Sequence, residues 1–458
     1  MSQVAAGDIG SWWRDFHDPE LDALIERGLA ANMDMQLAAS RIRQARYHER
    51  EVRAQAFPSV DSNVGATRTR LSGNSISLGG LDLRQSGSTS SASGASSGSP
   101  PPLGIPGTTF NTYQLGFDMS WELDLFGKAR RSSEAAAADT QALAWSLRDT
   151  WVSLAAEIAE TYFQLRAAQQ RVAVRQAQTT RERRELELIG AKVAGNLATE
   201  LDVQQEETQL ALSESALPPL QAEVQIHIHA LGVLLGQTPE SLVTELGAEA
   251  PPLAEPPSIP VGLPSELLQR RPDVRAAERR LAEATAKTGE ATADLYPSIT
   301  LTASPGLVST ALSNLLSSGS ENASFGGTVG WNLFDAGKRR AVVREANESE
   351  RQSLLSYQKA VLVALQDVED ALSQLASQSA ETGRLVRSFS AAQKAEAIAK
   401  AQYHAGIAPL TTVLSAQATQ LDAEDRLIVA RADHSRDTVA LYKALGGGWE
   451  TIRDREGQ

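Results

Sequence analysis

From Lys128 to Ile189 the chain contains neither glycine nor proline. The stretch is dense in Ala, Gln, Glu, Arg and Leu, the residues that lose least on entering a helix. It predicts one uninterrupted helix of about 60 residues, roughly 90 Å long at 1.5 Å per residue. A second stretch of this kind runs from Lys338 to Ala405 and is interrupted only by Gly383. A compact globule has no room for such helices, so they must pack along neighbours as a bundle or tube. Small and aliphatic residues in "LAAEIAETYFQL" and "VLVALQDVEDALSQL" supply the stripe for that packing.

Both long helices are entered by the same passage. "FDMSWELDLFGKARRSSEA" (117–135) and "GTVGWNLFDAGKRRAVVRE" (327–345) share Trp121 with Trp331, Leu123 with Leu333, Gly127 with Gly337, Lys128 with Lys338 and Arg130 with Arg340, each pair 210 positions apart. Both are left by a short turn, "VAGNLATELDV" around Gly195 and "HAGIAPLTTVL" around Gly406, into a returning helix (about Thr199 to Ala216, and Leu410 to Leu445). Gly195 and Gly406 suit the left-handed residue that closes a helix, and Pro409 suits the first turn of the next. Pro218-Pro219 is expected to interrupt the first returning helix. Phe57-Pro58-Ser59 and Tyr296-Pro297-Ser298 form another matched pair, each following a helical stretch. Each half therefore reads helix, strand, loop, strand, long helix, turn, helix. The repeats span 1–248 and 265–449, with a proline-rich linker at 249–264 and a tail at 450–458.

The strands rest on a period of two. Tyr113, Leu115, Phe117, Met119, Trp121, Leu123 and Leu125 alternate with Gln114, Gly116, Asp118, Ser120, Glu122 and Asp124. The second copy sets Phe325, Val329, Trp331 and Leu333 against Ser324, Thr328, Gly330 and Asn332, and the strand before it sets Ile299, Leu301 and Ala303 against Thr300, Thr302 and Ser304. The strand after Pro58 alternates poorly. Phe57 to Trp121 is 64 positions and Tyr296 to Trp331 is 35, so the first half holds 29 more residues between its strands. The excess falls in a Gly/Ser/Pro-rich segment at about 72–107, which cannot build a core and is expected as a mobile external loop.

A net charge of -13 and a pI near 5.1 argue against a nucleic-acid partner, which needs clustered Lys and Arg. The chain has no cysteine, which removes disulfides, thiolate nucleophiles and Cys-ligated zinc. No apolar run is long enough for a transmembrane helix, and "MSQVAAGDIGSWW" does not read as a secretory signal. His227 and His229 in "QIHIHAL" are two apart on a helix and so face apart, a poor metal pair. The serines lack a His and Asp arrangement, so no catalytic, cofactor or metal residue is expected. The basic run "RERRELE" near Arg181 reads as a solvated helix face, with adaptor contact as its other reading. Four amphipathic strands are too few to close a sheet. Either they form a small half-buried sheet on the helices of a soluble protein, or copies of the chain close them in a membrane. Trp121 and Trp331 beside Lys128 and Lys338 favour a membrane interface.

The motifs "SWELDLFGKARR", "WNLFDAGKRR", "LLQRRPDVRAAERRLAEATA" with "YPSITL", the opening "WWRDFHDPELDALIERGLAAN" and the closing "LYKALGGGW" together resemble the outer-membrane factors of the TolC superfamily, and most closely its OprM/NodT-like branch. The resemblance covers nearly the whole chain. It implies a homotrimer in the bacterial outer membrane: a twelve-stranded β-barrel, four strands per protomer, continued by a long α-helical coiled-coil tunnel across the periplasm. Its implied partners are a periplasmic adaptor (membrane fusion) protein and an inner-membrane transporter, usually of the RND type. The implied function is passive exit of drugs or other small solutes, with no enzyme activity. A protein-secretion duct shares the fold, and a coiled-coil scaffold without a pore remains the alternative from another class.

On this resemblance, Trp121, Gly127, Lys128, Trp331, Gly337 and Lys338 mark the barrel-to-helix junction, with the lysines reaching lipid headgroups. The hairpin tips at Gly195, Gly406 and Pro409 would meet the adaptor. The tunnel gate would involve Tyr403, Thr411, Ser415 and Ala418. Spacing adds Asp422 and Asp425, since Ser415, Ala418, Asp422 and Asp425 follow steps of three, four and three on one helix stripe. A ring of Asp422 carboxylates would attract cations. The branch's usual acylated N-terminal cysteine has no counterpart here, so no lipid site is assigned.

Overall fold

The computed structural model describes residues 9–70, 72, 109–248, 253, 256–257 and 270–452. The expected loop at 72–107, apart from Ser72, most of the linker and most of the tail lie outside the described residues. The first half contains α1 (Pro19–Ala31), α2 (Met33–Ala54), β1 (Ser59–Arg70), β2 (Thr109–Leu123), α3 (Lys128–Ala194), α4 (Glu200–Ser215), α5 (Leu217–Leu234) and the short α6 (Val243–Leu246). The second contains α7 (Pro272–Ala293), β3 (Ser298–Ser309), β4 (Glu321–Gly330), α8 (Lys338–His404) and α9 (Leu410–Ala444). The two long helices have 67 residues each, and α8 passes through Gly383 unbroken. Pro218 and Pro219 start α5, where the first amides have no intrahelical partner to lose.

The chain forms two compact units that cut across the sequence repeats. One takes Met1–Gln44, Gln141–Arg280 and Leu354–Gln458, and the other Ala45–Thr140 and Leu281–Ser353. The core of the first gathers Trp12, Leu21, Leu24 and Ile25 with Ile158, Tyr162 and Leu165 of α3, Ile228 and Leu231 of α5 and Val439 of α9, all essentially fully buried. Trp12 stacks on Tyr442 with ring centroids 5.4 Å apart. Two tyrosine hydroxyls in this core are satisfied: Tyr442 Oη donates to Asp15 Oδ2 (3.0 Å) and Tyr162 Oη to Asp18 Oδ2 (2.5 Å). Asp18 also caps α1, accepting from the Glu20 and Leu21 amides. The opening motif is thus a helix start threaded into the core.

The second unit holds a four-stranded antiparallel sheet in the order β1-β2-β3-β4. The register sorts its side chains cleanly. Val60, Val64 and Ala66 share a face with Tyr113, Leu115, Phe117, Met119 and Trp121, with Ile299, Leu301, Ala303 and Leu307, and with Phe325 and Val329. The other face carries Asp61, Asn63, Thr67, Gln114, Asp118, Glu122, Thr300, Thr302, Ser304 and Thr328. β1 alternated poorly because Ser62 and Arg68 sit on its apolar side, yet it pairs with β2 along its whole length. β4 ends at Gly330, so Trp331 and Leu333, expected inside the strand, lie beyond it. No helix among the described residues is long and apolar enough to cross a membrane.

Candidate functional site

The strand-to-helix passages close by the same devices in both copies. Gly127 and Gly337, at φ 85° and 86°, turn the chain in the residue before α3 and α8. A carboxylate then takes the first helical amides. Asp124 Oδ2 accepts from the Arg130 amide (2.9 Å), while Asp335 accepts from the Gly337 and Arg339 amides (2.9 and 3.0 Å). Trp121 Nε1 donates to the Ala56 carbonyl (3.0 Å) and Trp331 Nε1 to the Leu295 carbonyl (3.2 Å), each just past the end of the preceding helix. Each tryptophan therefore ties a strand end to a helix end. The two carboxylates were missed in the sequence because they sit one position apart in the aligned copies. An aspartate shortly before a long helix was the available signal.

Lys128 Nζ pairs with Asp294 Oδ1 at 2.8 Å, and that hydrogen bond holds its ammonium above the usual lysine range. That pair ties the start of α3 to the α7–β3 turn. Phe126 stacks on Tyr296 in the same turn, with centroids 4.8 Å apart. Lys338 is exposed. An alanine at Gly337 would meet no atom within 4 Å, so its cost is conformational: about 1–2 kcal/mol for a left-handed non-glycine residue. Gly337→Ala should accordingly lower the melting temperature of the detergent-solubilised protein by a few degrees.

On α9, Thr411, Ser415, Ala418 and Asp422 lie on one exposed stripe, as their spacing predicts. Asp425 lies at its edge, about 80° round from Ser415 where Ala418 is about 60°, and is taken up by Arg171 of α3 (2.8 and 3.3 Å), with Glu223 3.2 Å from the same guanidinium. Asp422 itself pairs with Arg426 at 2.9 Å, which offsets its charge. Tyr403 is half-buried in a small core at the tip with Ile189, Leu410 and Val413, and the Lys192 ammonium lies 5.0 Å from its ring centroid. Burial raises the Tyr403 pKa.

The tips close alike, with one correction. The left-handed residue of the first is Asn196 (φ 57°), not Gly195, and it occupies the position equivalent to Gly406 (φ 72°). Asparagine tolerates this conformation next best after glycine. The Leu197 amide returns to the Lys192 carbonyl (2.8 Å) and the Ile407 amide to the Gln402 carbonyl (2.9 Å). Thr199 caps α4 in a reciprocal box with Asp202, and its counterpart Pro409 is the N-cap of α9, one residue before the first turn. Leu197 and Ile407, at matched positions, leave the tips 80% and 76% exposed.

Two quoted motifs meet at Arg271. Its side chain is nearly buried, and Nη1 donates to the Ala444 carbonyl (2.9 Å) while Nη2 pairs with Asp273 (2.7 Å) and Asp367 (2.8 Å). Arg270 pairs with Glu450 at 2.5 Å. The "RRPD" block is thus bonded to the end of α9 and to the "LYKALGGGW" terminus. Arg271 borders a cavity of about 590 Å³ whose other charged walls include Asp149, Glu160, Asp437 and Lys443. Burial pushes the Asp149 and Glu160 carboxyls up. Among the described residues no group of three or more His, Asp or Glu could hold a metal ion.

The chain matches the family described as "Outer membrane efflux protein" over residues 24–237 and 263–447. It is 31% identical to the solvent efflux pump outer membrane protein SrpC of Pseudomonas putida, over 96% of this chain and 87% of the relative. It is 29% identical to the pyoverdine export outer membrane protein OpmQ of Pseudomonas aeruginosa, over 99% and 90%. Among solved structures it is similar to the outer-membrane channel OprN, with a TM-score of 0.84, 34% identity and coverage of 96% and 93%. Against the open state of the Neisseria gonorrhoeae MtrE outer membrane channel the TM-score is 0.78, with 27% identity and coverage of 98% and 94%. The fold class is that of these trimeric channels, a β-barrel to which each chain gives four strands, with an α-helical tunnel. Matched along both of its halves, with the two-faced sheet and the paired helical hairpins in place, the chain belongs to the outer membrane efflux protein family.

Proposed function

We propose that this protein is the outer-membrane exit duct of a tripartite efflux pump, conducting drugs or other small solutes passively from an inner-membrane transporter and its adaptor to the exterior. The single observation that carries the reading is the sheet: one apolar face, one polar face, and outer edges on β1 and β4 that pair with no strand among the described residues. In lipid such edges must be paired, which three copies achieve by closing one twelve-stranded ring around a polar bore. The family's pumps further suggest a transporter of the RND type, with the tips at Leu197 and Ile407 as the adaptor's apolar footing. No step here needs catalysis by the chain. A soluble scaffold is disfavoured because Phe325 and Val329 would face water on an open sheet.

On this reading the polar face supplies the bore's charge. It carries Asp61, Asp118 and Glu122 and no Lys or Arg among the described residues, and Asp61 stands directly opposite Asp118 in the ladder. Like charges so placed are unfavourable in a dry sheet and tolerable beside water. With Asp422 offset by Arg426, these strand carboxylates replace the α9 ring as the source of cation preference. Purified trimers in planar bilayers should conduct and favour cations. The Asp61→Asn, Asp118→Asn double variant should lower that preference about twofold or more, while Asp422→Asn changes it little. A protein that inserts and passes no current ends the duct reading. Co-purification with an adaptor and transporter from the native host separates efflux from protein secretion.

A further inference from the structure

Where the two helical hairpins of the chain meet near their tips, the packing contains a charge imbalance that the duct function does not require. Glu206 of α4 is fully buried, and neither carboxylate oxygen has a hydrogen-bond partner among the described residues. It faces Glu182 and Glu185 of α3 and Lys400 of α8. Glu182 is also fully buried, with Oε1 accepting from Gln178 (2.8 Å) and Gln209 (3.4 Å) and Oε2 without a partner among the described residues. Glu185 is the link between the hairpins: it lies 3.3 Å from Lys400 Nζ and accepts from Gln417 Nε2 of α9 at 3.0 Å. Lys400 is shared with Glu396 of its own helix (2.6 Å). Asp202 of α4 and Tyr403 of α8 complete the titratable surroundings.

We propose that Glu206, set against Glu182, Glu185 and Lys400, is a proton-operated latch: protonated, it lets the two hairpins pack at their tips, and ionised, it loosens them. One lysine already engaged by two glutamates cannot also neutralise a third and a fourth. An ionised Glu206 would repel Glu185 and compete for Lys400, the two partners of the inter-hairpin link. Burial first, and then Glu185 and Glu182, push the Glu206 carboxyl up to about 7 from the model-peptide value of 4.5. The packed tip therefore holds a proton that a loosened, hydrated tip releases. The stabilisation is complete below pH 4.5, is lost progressively as the pH rises toward 7, and is absent above.

The test is amide hydrogen exchange on the intact detergent-solubilised protein, corrected for intrinsic rates, reading α4 and the facing turn of α8. In the wild type, protection there should fall about tenfold or more between pH 5 and pH 7.5. Glu206→Gln keeps the shape and removes the charge, so its protection should stay at the acid level throughout. Glu206→Leu serves the same purpose should the glutamine variant assemble poorly. Glu182→Gln removes a neighbouring charge and should move the wild-type midpoint to lower pH. A flat wild-type profile, an unchanged fall in Glu206→Gln or Glu206→Leu, or an unmoved midpoint in Glu182→Gln overturns the latch. The readout is local packing and not current, so its failure leaves the duct reading standing.

Discussion

Replacing Arg271 by alanine is expected to destabilise the helical unit by about 1–3 kcal/mol, below the cost of breaking a fully buried pair because Asp273 and Asp367 keep 32% and 44% of their side chains exposed. The guanidinium satisfies Asp273, Asp367 and the last carbonyl of α9 at once, and each would be left facing a cavity lined with further carboxylates. Asp149 is already forced toward its neutral form by burial, with Arg271 among the groups opposing that shift, so the loss would spread. Arg271→Lys keeps the charge but not the fork, and should recover less than half of the loss. Melting temperature in detergent and half-life at a fixed temperature read the effect. An alanine variant as stable as the wild type would show that the network is not a keystone.

Phe325→Arg should obstruct assembly at the sheet. Phe325 lies midway along β4 opposite Ala303, on the apolar face and 79% exposed in the protomer. An arginine facing lipid near the middle of a membrane strand costs about 2–4 kcal/mol, and each trimer would carry three. Ser324→Arg, one residue away on the polar face, should fold into vesicles nearly as well as the wild type. Folding yield by protease protection separates the two, and equal yields would mean that the faces are assigned the wrong way round.

Much of this architecture was legible in the sequence because its periods are long or strict. Sixty-odd residues without a breaker leave little but a helix, and β2 alternates without a fault from Tyr113 onward. β1 was obscure because Ser62 and Arg68 sit among its apolar positions, and its place became plain only from its partner. The candidate site was less legible, since it depends on what lies across from a residue. Asp425 looked like part of the Ser415 stripe until Arg171, 254 positions earlier, took it up. Gly195 looked like the helix closer because glycine is the commoner choice, and Asn196 does the work. Lys128 is committed to Asp294 in the other repeat. Glu206 had no signal at all, because a glutamate in a polar helix is ordinary until it is buried against the carboxylates of another helix.

The open edges of β1 and β4 also bear on how a population of these chains behaves. Each seam of the ring joins the edges of two different molecules, so no chain can complete its own sheet before it meets the others. Closure of the ring then depends on three chains meeting and is sensitive to how many copies are made. A subunit whose β1 cannot pair is not merely lost. It enters a ring with two sound neighbours and leaves a gap between them, so a minority of defective chains spoils a larger share of the pores. Co-expressed with intact chains, a seam variant should therefore lower the yield of working pores by more than its own share, whereas a variant that unfolds before assembly should not.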